Sequence, residues 1–81
     1  MELNKTVELM NSEDYKERFK AEYYQISIRI VGLSEMLFDW DADRLGFTPK
    51  CSYELLSAQL KSMEAYAGIL EERARIERIE L

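Results

Sequence analysis

The sequence predicts an all-α chain: an antiparallel two-helix hairpin with a short N-terminal helix, assembled with further copies of itself into a homo-oligomeric helical bundle. Three observations predict it. Two long stretches place their large apolar residues at steps of three and four, the spacing of one helix face. A segment of about eleven residues containing Gly46 and Pro49 separates them, too short to reach a distant position, so the helices fold back on each other. Each stretch also carries a second apolar stripe, more than a lone hairpin can cover.

Residues 1–11 form the N-terminal segment, where Leu3, Val7 and Met10 stand at helical spacing and predict a short helix packed on its neighbours; Met10 is also an alternative start. Helix one is expected over 12–40, with its seam at Tyr15, Phe19, Tyr23, Ile26, Ile30, Leu33, Leu37 and Trp40. Asn11 and Ser12 are cap candidates, and Glu13 and Asp14 occupy the first turn, where the helix dipole favours acids. Such a helix is roughly 43 Å long at ~1.5 Å per residue.

The corner, 41–51, opens within three alternating aspartates at 39, 41 and 43. A calcium loop of the EF-hand type needs glycine at its sixth position and glutamate at its twelfth, and counting from Asp39 these hold Arg44 and Lys50. A solvated turn is therefore expected, with Leu45 and Phe47 plugging the end of the hairpin. Helix two spans 52–79, its seam at Leu56, Leu60, Met63, Ala67, Leu70 and Ala74. Cys51 or Ser52 precedes it, and Thr48 before Pro49 is a rival start.

The 81 residues make a single domain, 1–81, with a thin core. Small chains usually compensate with disulfides, a structural metal or self-association. One cysteine, Cys51, and no histidine exclude an internal disulfide and a zinc site of the usual kind, which leaves self-association. Composition is 47% hydrophobic and 33% charged with three glycines and one proline, the profile of a helix-rich folded chain. No apolar run approaches the ~20 residues of a membrane span, and the start does not resemble a secretory signal. A cytosolic protein with a reduced thiol and no membrane partner is the simplest reading. The formal charge of −5 argues against a nucleic-acid polymer, whose affinity comes from cations laid on many phosphates. A small anion needs only a local cluster of donors and stays open.

The second stripes are Tyr24, Ile28, Val31 and Phe38 on helix one and Tyr66, Ile69 and Ile76 on helix two, the expected oligomer interface. Ala58, Ser62 and Ala65 lie along one edge of helix two and favour close helix contact. If Trp40 sits opposite Ser52, paired residue numbers sum to about 92 in an antiparallel hairpin, which brings Gly68 near Tyr24 and leaves room for the tyrosine ring. Ordinary packing around an incidental glycine is the alternative.

Catalytic chemistry is poorly provided for. There is no histidine base, no nucleophile elbow and no glycine-rich phosphate loop. Only Lys50 stands near Cys51 to stabilise a thiolate, so a buried or capping cysteine is expected rather than a nucleophile. No cofactor and no enzyme activity are predicted. The pairing rule does gather Lys16, Arg18 and Lys20 beside Arg73, Arg75 and Arg78 at the open end, interleaved with Tyr15, Phe19 and Tyr23. Aromatic faces and guanidinium groups suit a small nucleotide. The candidate ligand residues are thus Tyr15, Lys16, Arg18, Phe19, Lys20, Tyr23, Arg73 and Arg75. The same charges also fit ordinary helix-surface pairs, Asp14 with Arg18 and Glu71 with Arg75 at i, i+4.

The segments RFKAEYYQISIRIVGLSEML and FTPKCSYELLSAQLKSMEAYAGILEERARI, above all Leu55, Leu56, Gln59, Met63, Tyr66, Leu70 and Arg73, resemble a family of small helical-hairpin proteins of tailed phages, including crAss-like phages. That family is similar to the hairpin domain of phage anti-defence proteins acting against CBASS and Thoeris immunity, the nucleotide sponges. The resemblance implies a symmetric oligomer, such as a hexamer or other even-numbered assembly, in the host bacterial cytoplasm. It would hold a cyclic oligonucleotide or cyclic ADP-ribose signal without cleaving it. The aromatic, glycine-containing motif near the N-terminus of the anti-CBASS proteins is absent here, so no ligand contact is carried over. The alternative function is a protein–protein interaction module that masks a host defence protein.

Overall fold

The computed structural model describes residues 2–81. They form a 3₁₀ turn, Leu3–Lys5, and three helices: α1 (Thr6–Met10), α2 (Tyr15–Asp41) and α3 (Tyr53–Glu77), with no strand among the described residues. The long helices pack side by side as an antiparallel hairpin, and α1 lies against α2. The register follows the expected sum of residue numbers: Trp40 meets Tyr53 edge-on at 5.4 Å, and Tyr15 reaches Glu77 at the other end.

Both seams face inward, but burial is uneven along them. Phe19, Leu70, Ala74 and Ile79 form the buried cluster, with Tyr23 and Ile26 packed against it. This core sits at the open end. Complete removal of a leucine such as Leu70 from water is worth about 1.5–3 kcal/mol, and Leu70 is fully buried. Toward the corner Leu37 is buried, while Ile30, Leu33 and Trp40 are only half-buried.

The helix ends depart from expectation by a few residues. Helix one begins at Tyr15, not at residue 12, because Asp14 is the cap and accepts from the Lys16 N–H at 2.9 Å. Ser12 accepts from the Asp14 N–H at 3.0 Å instead, one step before the helix. At the far end Asp43 takes a left-handed φ of 60°. The Arg44 N–H then reaches the Asp39 carbonyl at 2.8 Å and the Asp43 N–H that of Trp40 at 3.1 Å. This double bond pattern satisfies carbonyls that a helix end leaves orphaned.

Ser52 caps α3, accepting from the Leu55 N–H at 3.1 Å, so neither Cys51 nor Thr48 starts the helix. Cys51 is exposed, a correction to the buried or capping role expected of it. Helix two ends at Glu77 rather than at residue 79: Arg78 turns left-handed, φ 58°, and the Ile79 N–H bonds the Ala74 carbonyl at 2.9 Å. That turn drives Ile79 back into the core.

Three further expectations are revised. Leu45 is half-buried, but Phe47 is mostly exposed, so it does not plug the corner. Gly68 faces open space, with nothing within 4 Å of where a Cβ would stand, and Tyr24 packs edge-on to Tyr23 instead of covering it. In the N-terminal segment Thr6 is fully buried and Leu9 half-buried, while Leu3, Val7 and Met10 stay 38–49% exposed. The Thr6 hydroxyl donates to the Leu3 carbonyl at 2.6 Å and accepts from Gln25 at 3.0 Å, and Gln25 also meets the Met10 sulfur. Ala21, one turn before Gln25, is fully buried too. Small side chains and a satisfied hydroxyl make this contact.

Candidate functional site

The open end brings together the start of α2 and the end of α3. The Tyr15 hydroxyl donates to Glu77 Oε1 at 2.9 Å and accepts from Arg73 Nη2 at 3.0 Å. Arg73 Nε lies 3.4 Å from Glu77 Oε2, and its guanidinium sits 5.0 Å from the Phe19 ring centroid, a cation–π geometry. Tyr15 and Phe19 are tilted neighbours with centroids 6.2 Å apart. Partial burial works to lower the Arg73 pKa, but the Tyr15 hydroxyl and Glu77 outweigh it and the net shift is upward. Arg73 is therefore a fixed cation held by an aromatic ring, a phenol and a carboxylate.

The eight residues expected at a ligand site divide by environment. Tyr15 is about half exposed, whereas Phe19 is buried between Arg73 and the core, and Tyr23 packs on that core. Lys16 is exposed, Lys20 is half-buried, and neither enters an ion pair among the described residues. Arg18 turns to the Ser12 carbonyl at 2.8 Å and does not pair with Asp14, whose carboxylate is engaged as the helix cap. Arg75 pairs with Glu72 at i−3, not with Glu71 at i−4, through two hydrogen bonds. The pairing raises the Arg75 pKa and lowers that of Glu72. Sequence reading did not find Glu77, the anionic partner that orients Arg73. Its place four residues after Arg73 was the available signal.

Concavity lies elsewhere. A shallow depression of about 480 Å³ is lined by Ser34, Glu35, Phe38, Asp39 and Arg44, and a smaller one of about 180 Å³ lies under the corner beside Trp40, Phe47 and Pro49. In the first, Arg44 stands over the Phe38 ring at 5.3 Å and 3.4 Å from Asp39. Asp41 accepts from the Tyr53 hydroxyl at 2.7 Å. The three aspartates of the corner thus serve an ion pair, an aromatic tether and a helix end. No group of three or more acidic or cysteine side chains could hold a metal among the described residues.

Of the second-stripe residues, Tyr24 and Ile28 are half-buried, while Val31, Phe38, Tyr66, Ile69 and Ile76 are 40–65% exposed. Leu55, 60% exposed, extends the same surface. It was not singled out as an interface residue because it stands one place before the Leu56 seam. No helix is long and apolar enough to cross a membrane among the described residues.

Fold and surface together define a small all-helical hairpin protein whose polar and aromatic groups gather on an outer face at the open end. The Sequestin profile matches residues 13–76, both long helices and the corner, and the chain belongs to the Sequestin family. This agrees with the resemblance to sponge-type helical hairpins carried by the motif around Leu55 to Arg73. No curated protein and no solved structure matches the chain.

Proposed function

We propose that this chain is a phage anti-defence protein that binds and holds a cyclic nucleotide immune signal, of the cyclic oligonucleotide or cyclic ADP-ribose type, without cleaving it. Its place of action is the host bacterial cytoplasm, and its working form is a homo-oligomer. Membership of the Sequestin family over residues 13–76 carries the reading, since the family name denotes sequestration. The open end supports it chemically. Arg73 presents an oriented guanidinium, Tyr15 an accessible ring, and Lys16 and Lys20 further positive charge beside them. A guanidinium fixed in advance loses less freedom on meeting a phosphate than a mobile one.

The two depressions described lie toward the corner, and a second wall for a small ligand at the open end is what an oligomer would supply. The exposed apolar stripes also favour a second reading, a module that masks a host protein. Calorimetry against cyclic di- and trinucleotides and cyclic ADP-ribose isomers separates the two. Micromolar or tighter binding, with the ligand recovered intact by mass spectrometry after heating, is the expected result. Arg73→Ala should weaken it about tenfold or more, the loss expected when a charge-assisted hydrogen bond to phosphate goes. No binding across the panel by folded protein rejects the nucleotide reading.

A further inference from the structure

Along the outer face of α3, Leu55, Ala58, Ser62, Ala65, Ile69 and Ile76 are all exposed. With Glu72 added, the positions run at steps of three and four throughout, the heptad spacing of a helix-pairing seam. This seam is separate from the one that faces α2, which uses Leu56, Leu60, Met63, Ala67, Leu70 and Ala74. This elongated hairpin, 43 × 24 × 17 Å, has surface to give to a partner of its own size. A globular chain of 9.6 kDa exposes about 5,100 Å² by surface-to-mass scaling, whereas this one exposes 6021 Å². The excess, about 900 Å², is close to the ~800 Å² that one partner gives to a standard interface.

We propose that this face of α3 pairs antiparallel with the same face of a second copy of the chain, about a two-fold axis near residue 67. In that register Ile69 of each copy lies across from Ala65 of the other, and Ile76 across from Ala58, so each large side chain meets a small one. Ser62 then faces Glu72, a hydroxyl donor opposite a carboxylate already paired with Arg75. Parallel pairing loses on both counts: it sets alanine on alanine and leaves gaps, and it brings the two Glu72 carboxylates together.

The arrangement deepens the self-association invoked above and rests on it. It also supplies the missing wall, because Arg73 flanks the seam and faces Gln59 of the second copy. The surface around Tyr15, Arg73 and Glu77 becomes one side of a groove between chains.

Light scattering at high micromolar protein tests the pairing. Wild type is expected to assemble, while Ile69→Glu and Ala58→Arg, both at exposed positions, should cut the mass about twofold or more with helicity retained. Val31→Glu on α2 should leave at least a dimer. In a Cys51→Ser background, Tyr66→Cys should give a covalent dimer with a short bis-maleimide. Ile76→Cys should not, since its two copies lie roughly 27 Å apart at ~1.5 Å per residue. A monomeric wild type overturns self-association altogether. Assembly that survives both Ile69→Glu and Ala58→Arg overturns the α3 seam alone, and cross-linking at residue 76 but not 66 overturns the antiparallel register.

Discussion

The two ends of the hairpin are held in different ways. At the open end the chain supplies no link between α2 and α3, and there the buried cluster of Phe19, Leu70, Ala74 and Ile79 gathers, closed over by Tyr15, Arg73 and Glu77. At the corner the backbone itself joins the helices, and contacts are thinner: an edge-on Trp40–Tyr53 pair, the Tyr53–Asp41 bond and an exposed Phe47. A short loop already bears the entropy of bringing its two ends together. Side-chain burial is needed most where that tether is absent.

The sharpest way to break this comparison uses one residue type at both ends. Phe19 is 2% exposed and Phe47 60%, so Phe19→Ala should cost about 3–5 kcal/mol and lower the melting temperature by about 12 °C or more. Phe47→Ala should stay within about 0.5 kcal/mol. Equal losses by thermal denaturation would mean that the corner shares the core after all.

A smaller effect separates the two tails. Ile79→Ala empties a buried site and should cost about 2 kcal/mol, against less than about 1 for Leu45→Ala at the half-buried corner. The left-handed residues differ as well. Arg78→Gly relieves the strain of a long side chain and should gain up to about 1 kcal/mol, whereas Asp43→Gly should be nearly neutral, because aspartate tolerates that conformation. Urea titrations resolve both pairs.

The weakest effects come from pH and have opposite signs at the two ends. The hydrogen bond to Asp41, followed by partial burial and charge, raises the Tyr53 pKa above 10.0. Its stabilisation is complete below that value and is lost as pH rises through the higher folded value. The hydrogen bond from Arg75 lowers the Glu72 pKa below 4.5 despite some burial, so its contribution is present above 4.5 and is lost as pH falls through the lower folded value. Alkali should therefore loosen the corner and acid the last turns of α3. Glu72 is exposed and Tyr53 only half-buried, and the changes will be small. Hydrogen exchange resolved by residue would detect them, and Tyr53→Phe and Glu72→Gln should each erase one arm.

Much of this was legible in the chain. The seams, the reversal and the pairing of Tyr15 with the end of α3 follow from spacing, since a helix repeats every 3.6 residues and an antiparallel pair fixes which positions meet. The gathering of Tyr15, Phe19 and Arg73 at the open end was legible, and their wiring less so. Arg18 and Arg75 each had several acceptors within reach of a flexible side chain, and the ones taken were the Ser12 carbonyl and Glu72. Phe19 was read as a stacking face, yet the core and Arg73 cover it. Thr6 in the N-terminal contact was hidden because a buried hydroxyl follows no apolar period.

Periodicity alone determined that there are two long helices, which face of each turns inward, and that apolar surface is left over. Those are properties of a single helix and its neighbours in sequence. Only the folded chain decided that α1 seats on Thr6, that Ile79 doubles back into the core, and that Glu77 and Tyr15 orient Arg73. Each of these joins groups brought together by packing, and a one-dimensional pattern does not encode which of several equivalent partners a rotamer will choose.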